Sequence, residues 1–190
     1  MIKRILLSAL MIAGVASIAQ AQRVRDVTET VELFRGITQV APYFESSYGY
    51  AVWPRIGRGG LGVGASRGRG QVYVNGQMTG FSTMTEVSVG FQAGGQAYRQ
   101  IIFFETREIY ERFTQSTFEF DASASAVAVT ASAQAGAGTT GARATAGAGS
   151  PSTGSAVGYV NGMQTFTMAE GGLMYQATIA GQRYRFEAAQ

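Results

Sequence analysis

The sequence predicts an α+β domain that is mainly antiparallel β, a compact curved or barrel-like sheet with an N-terminal helix and one short inserted helix. Three observations carry this. The chain has 26 glycines and is 46% hydrophobic with only 14% charged residues, a composition that suits a glycine-rich β protein rather than a disordered one. Asn-Gly occurs at 75–76 and again at 161–162, each between short alternating segments, and that dipeptide supplies the positive φ angles of a two-residue hairpin. Helical periodicity is confined to two stretches, Asp26 to Gln39 and Thr106 to Phe113.

Taken in order, the chain opens with Lys3 and Arg4, an apolar run from Ile5 to Val15, and Ala19-Gln20-Ala21, the pattern of a signal peptide over residues 1–21. The run is shorter than the roughly 20 residues a spanning helix needs, so the expected location is periplasmic or secreted, peripheral on a membrane at most. Residues 22–47 form a helical segment in which Asp26 and Glu29 make a capping pair and Val27, Val31 and Phe34 share one face. Residues 48–190 form the β-rich domain. Its expected elements are a short aromatic strand from Tyr48 stopped by Pro54, then Gln71 to Val74 and Gln77 to Ser82 around the first Asn-Gly turn. Strands at Met84 to Phe91 and Ala97 to Phe104 follow.

Thr106 caps the inserted helix, with Arg107–Glu111 and Glu108–Arg112 as i,i+4 pairs. Phe118 to Phe120 leads into a small-residue strand at Ala124 to Thr130. Residues 131–155 are almost all alanine, glycine, serine and threonine, which bury too little apolar area to offset ordering entropy, and read as a flexible loop. Strands at Gly172 to Ile179 and Gln182 to Glu187 close the chain. An offset of 86 residues superposes Tyr73-Val74-Asn75-Gly76 on Tyr159-Val160-Asn161-Gly162, and Gly95, Gln96, Tyr98 and Arg99 on Gly181, Gln182, Tyr184 and Arg185, which a duplicated four-strand unit would give and shared turn chemistry gives in part.

Functional classes narrow quickly. The chain contains no cysteine and no histidine, which removes thiolate nucleophiles, imidazole bases and the usual zinc ligands. Gly57, Gly59 and Gly62 match a dinucleotide fingerprint, but Val63 to Ser66 continue as strand and no acid follows about 20 residues later. Asp121 and Glu170 are not joined by any spacing that marks a catalytic carboxylate pair. No enzymatic activity and no cofactor is expected. Removal of Lys3 and Arg4 leaves 13 arginines against 12 acids, a net of +1, so nucleic acid is not an expected partner and recognition must come from a local cluster.

That cluster is Tyr48 to Gly70, which holds Arg55, Arg58, Arg67 and Arg69 and lies in a gap free of acids between Glu45 and Glu86. Glycine at nearly every second position lets the backbone approach a ligand, and successive amides can line an anion-binding concavity. The Asn75-Gly76 hairpin makes 59–66 and 71–74 adjacent strands, with Arg67 and Arg69 in the connection between them and Arg55 and Arg58 about 23 Å away. Arg67 with Arg69 and Arg55 with Arg58 are therefore separate pairs, and the pair flanking Gly68 is the favoured phosphate site. Trp53 is the candidate interfacial anchor, with a place in the core as its other reading.

The chain resembles bacterial members of the SYLF-domain family. The resemblance runs through Tyr48-Gly49-Tyr50-Ala51-Val52-Trp53-Pro54, Gly59-Gly60-Leu61-Gly62-Val63-Gly64 and Arg67-Gly68-Arg69-Gly70. It continues in Val89-Gly90-Phe91-Gln92-Ala93-Gly94-Gly95-Gln96-Ala97-Tyr98, Ile101-Ile102-Phe103-Phe104, Phe118-Glu119-Phe120 and Gly171-Gly172-Leu173-Met174-Tyr175. It implies a β-rich phospholipid-binding domain, with actin binding in some eukaryotic relatives. An exported bacterial protein meets no actin, so lipid binding alone carries over. The expected partner is an anionic phospholipid surface, bound by Arg67, Arg69, Arg55, Arg58 and Trp53. The alternatives from other classes are a small outer-membrane β-barrel and an envelope structural or protein-interaction domain.

Overall fold

The computed structural model describes residues 26–61, 63–89, 96–115, 117–120, 126–128, 158–170 and 181–189. The signal-peptide assignment, the loop at 131–155 and the strand expected at Gly172 to Ile179 lie outside the described residues. The first helix, α1, covers residues 26–35 and stops four residues short of its expected end, because the chain turns through Gly36 with Ile37 N–H donating to Phe34 O and Val40 N–H to Ile37 O. A second short helix, α2 (Ala41–Ser46), then begins with Pro42 in its first turn, where a missing N–H costs nothing. The sequence reading missed it, since six residues are too few to show a period.

Eight strands form one sheet: β1 (Gly49–Leu61), β2 (Val63–Val74), β3 (Gln77–Val89), β4 (Gln96–Phe104), β5 (Thr117–Glu119), β6 (Val127–Ala128), β7 (Met163–Ala169) and β8 (Arg183–Ala188). Their order is β5-β8-β3-β2-β1-β4-β7-β6, antiparallel throughout except for β6 against β7. Helix α3 (Arg107–Thr114) is inserted between β4 and β5, capped by the Thr106 side chain, which accepts from Ile109 N–H. Arg107 pairs with Glu111 at 2.7 Å as expected, whereas Arg112 turns away from Glu108 to donate to Asn161 O at 2.9 Å. Both Asn-Gly turns take positive φ, 49° and 76° at Asn75 and Gly76 and 53° and 76° at Asn161 and Gly162.

Two expectations are corrected. Pro54 does not end the first strand: β1 runs through it by a bulge between Val52 and Ile56, where the ladder is interrupted and a missing N–H is tolerated. Gln77 to Ser82 and Met84 to Phe91 are not two strands but one, β3, whose described part ends at Val89. The duplicated offset finds a partial counterpart in the pairing. It carries the pair Thr83↔Arg185 onto Ala169 and Arg99, and the observed partner of Arg99 is Met168, one residue away.

The sheet is curled, and its hydrogen bonds show how far. Gln100 on β4 and Tyr184 on β8 are four strand places apart, about 19 Å on a flat sheet, yet Gln100 Nε2 donates to the Tyr184 hydroxyl at 2.7 Å. The concave side holds one core, built on Trp53, Ile56, Met84, Phe104, Phe113 and Tyr184, with α3 laid across it. The convex side carries the other, where Val31, Phe34 and Tyr43 of the two N-terminal helices pack on Val52, Ile101, Phe103 and Phe166. Among the described residues the helices thus pack mainly on the β1-β4-β7 half of the outer face, and only the start of α1 borders the β2-β3-β8 half. An outer-membrane barrel would present an apolar band there; among the described residues this face carries packed helices and arginine.

Glycine every second residue in β2 follows from this packing. Gly68 and Gly70 face the concave core, where a Cβ on Gly70 would lie 2.4 Å from Val52 O and 2.7 Å from Trp53 Cδ1, and one on Gly68 would lie 2.6 Å from Ile56 Cγ1. Their absent side chains are the space into which Trp53 and Ile56 fold. Gly57, in contrast, has nothing within 4 Å of a Cβ position. Gly70→Ala is expected to cost about 1–3 kcal/mol of stability by overpacking, and Gly57→Ala to change it by less than about 1 kcal/mol, as read from urea unfolding midpoints.

Candidate functional site

The β1–β2 register decides which arginines can act together. The chain reverses between Leu61 and Val63, so Gly57 pairs with Arg67 and Arg58 with Ser66. Arg67 and Arg69 are therefore mid-strand, not in a connection, and Arg58 lies one strand spacing from them instead of 23 Å away. Alternation then sends them to opposite sides: Arg67 and Arg69 are exposed on the convex face, while Arg58 enters the concave side.

Inside, Arg58 is occupied. Its Nη2 lies 3.6 Å from Glu86 Oε1, with the two side chains only 18% and 7% exposed. Glu86 is also held by Gln182 Nε2 at 3.2 Å, and that same amide donates to the Tyr98 hydroxyl at 3.0 Å. Gln100 Nε2 donates to Gln182 Oε1 and to the Tyr184 hydroxyl, completing a buried polar junction between β3, β4 and β8. Burial pushes the phenols of Tyr98 and Tyr184 well above their ordinary value; at Tyr98 the neighbouring Glu86 charge adds to this. The arginine is a structural counter-ion here, removed from the headgroup set.

Trp53 is also removed. It has no exposed surface, sits 4.9 Å from the Tyr184 ring between centroids, and donates Nε1–H to Ser82 O at 3.1 Å. Regular alternation from Ala51 puts Trp53 on the concave side, where it still pairs with Gln100, and the bulge that follows turns Ile56 to that same side. Arg55 is exposed but bound to Glu170 at 2.6 Å, beside β4 and away from the open half-face. Of the five residues proposed from sequence, the structure leaves Arg67 and Arg69 free of any ion pair among the described residues.

Two further arginines join them. Across β3, Arg67 pairs with Thr85 and Thr85 with Arg183; in the next row Arg69 pairs with Thr83 and Thr83 with Arg185. The four side chains thus stand at the corners of a rectangle about 10 by 7 Å, measured by two strand spacings and a two-residue rise. Glu119 engages Arg183 at 2.7 Å and Glu187 approaches Arg185 only to 3.9 Å, both at exposed positions where pairs are worth little. Phe81 and Val87, 41% and 75% exposed, flank the rectangle along β3. Sequence reasoning missed Arg183 and Arg185 because the last strand is remote in the chain. The 86-residue echo had already placed Arg185 opposite Arg99, and the i, i+2 spacing matches that of Arg67 and Arg69.

Two outcomes test the concave junction. Arg58→Met, which leaves Glu86 buried without its cation, should cost about 3–5 kcal/mol, and adding Glu86→Leu should restore most of it. A phenol whose folded pKa is raised contributes stability that is complete below its unfolded value of about 10 and is lost as pH rises beyond it. Unfolding midpoints should therefore fall above about pH 10, and the fall should be shallower in Tyr98→Phe.

The comparisons agree with this architecture. The family model described as Ysc84, Las17-binding protein actin regulator, matches residues 85–185, from the middle of β3 to Arg185 in β8. No curated protein matches the chain. The family match takes in Arg183 and Arg185 and the inserted helix, and Arg67 and Arg69 precede it. With more than half of its residues inside that match, the chain belongs to the Ysc84 family of SYLF domains.

Proposed function

We propose that the protein binds the anionic headgroup surface of a phospholipid membrane with the open convex half-face of its sheet. The observation that carries this is the cross-strand register that sets Arg67, Arg69, Arg183 and Arg185 around Thr83 and Thr85, with two exposed carboxylates against four cations. Guanidinium forks on a rigid sheet suit phosphate oxygens, and no side chain must be pulled from the core to present them. Membership in a family of binding domains supports a binding role over catalysis. Cleavage of residues 1–21 would take the chain to the periplasm or the medium, where lipid is available and actin is not.

Magnitudes define the mode. Each arginine near an anionic surface contributes about 1 kcal/mol, so four give about 4 kcal/mol, or roughly millimolar affinity. Phe81 and Val87 stand on the same face and supply the apolar contact that raises it. Sedimentation with vesicles of phosphatidylglycerol in phosphatidylcholine measures this directly. Wild type should bind the charged vesicles at 0.1 M salt and lose most of that binding near 1 M, as the Debye length shrinks from about 10 to about 3 Å. Arg67→Gln with Arg69→Gln, and separately Arg183→Gln with Arg185→Gln, should each weaken binding about tenfold or more, while Arg55→Gln changes little. If both double variants sedimented like wild type, the arginine face would not be the lipid contact.

A further inference from the structure

A cleft of about 310 Å³ opens beside the arginine rectangle, between the start of α1 and strands β2, β3 and β8. Its apolar lining includes Val27, Met78 and Phe81, and its charged lining is Arg69, Asp26 and Glu187. These charges do not neutralise one another. Among the described residues neither Arg69 nor Asp26 makes an ion pair, and Glu187 reaches only Arg185, at 3.9 Å. The register explains why: Arg69 and Glu187 stand two strands and two residues apart, about 12 Å between Cα atoms. One cation and two carboxylates thus line a small, partly apolar recess, with Arg69 and Glu187 held apart on separate strands.

We propose that this cleft holds the phosphoethanolamine headgroup of a bilayer lipid, with its phosphate on Arg69 and its primary ammonium between Asp26 and Glu187. This rests on the convex face being the membrane-facing one. A singly anionic headgroup would satisfy the arginine and leave both carboxylates of the lining without a partner, whereas a zwitterion offers a partner to both signs of charge. The ammonium is primary rather than quaternary, because carboxylates accept its N–H bonds, and a trimethylated cation calls for a cage of aromatic faces. Phe81 is the single aromatic side chain among the lining residues. Met78 and Phe81, each about two-fifths exposed, then meet the glycerol and first acyl carbons. The recess shares Arg69 with the rectangle, so one contact serves both the general attraction and the headgroup choice.

The test uses the full protein and three vesicle compositions: phosphatidylcholine alone, phosphatidylcholine with phosphatidylethanolamine, and phosphatidylcholine with phosphatidylglycerol. Wild type should bind the ethanolamine vesicles about tenfold better than phosphatidylcholine alone, the order that one charge-assisted hydrogen bond supplies. Asp26→Asn with Glu187→Gln should abolish that preference while leaving phosphatidylglycerol binding equal or stronger, since two negative charges leave the face. Equal binding of wild type to the two zwitterionic compositions, or a preference that survives in the double variant, would overturn the headgroup assignment. Loss of phosphatidylglycerol binding in wild type would instead remove the membrane reading of the whole face, so the two failures are distinguishable. Soluble glycerophosphoethanolamine at millimolar concentration should compete weakly. Full competition at that level would overturn the assignment to a bilayer lipid in favour of the free headgroup.

Discussion

Gln100, Gln182 and Tyr184 tie β4 to β8 across the concave side of the sheet, and the outer surface takes its shape from that tie. Strands four places apart cannot exchange side-chain hydrogen bonds unless the sheet between them bends. Bending brings Trp53 against Tyr184 and leaves a hollow that α3 fills with Phe113. Buried amides and phenols of this kind are costly if half satisfied, so the junction rewards one curvature over neighbouring ones. The Arg58–Glu86 pair belongs to the same junction, where Gln182 also donates to Glu86, and its partial burial adds to the same effect.

Glycine spacing and core demand turn out to be one subject. The alternation through Gly64, Ser66, Gly68 and Gly70 reads in sequence as a backbone prepared for a phosphate, but those positions face inward. Small residues inside permit the bulge at Val52–Ile56 to lay Trp53 and Ile56 over the strand. The residues between the small ones are then forced outward, and two of them are arginine. A packing requirement on one side of β2 therefore sets the spacing of charge on the other, with no backbone amide needed for the ligand.

The parts of this fold legible in the sequence are those fixed locally. Both Asn-Gly turns, the Thr106 cap and the apolar face of α1 each depend on residues within a few positions, and periodicity or turn chemistry exposes them. Pro54 misled because a bulge two residues long can absorb the missing donor, and a bulge has no period of its own. Trp53 lay open between core and surface because alternation gives its face of the strand but not what packs on that face, and Phe113 and Tyr184 come from far along the chain. Arg67 and Arg69 were found by charge alone, and their placement failed because the reversal between Leu61 and Val63 carries no strong turn signal in the sequence beyond glycine. Arg183 and Arg185 were invisible for another reason: only the pairing of β3 with β8 brings the chain end beside β2.

Curvature has one more consequence. A sheet bent around a filled hollow bulges outward, and β3 runs along the middle of the uncovered strip with β2 and β8 falling away on either side. A flat partner touches the crest at Phe81 and Val87 before it meets the guanidiniums, whereas a partner that is indented or yields under contact meets crest and flanks together. The face is in this sense a gauge of local shape: compliance in the opposing surface determines how many of its charges are engaged at once.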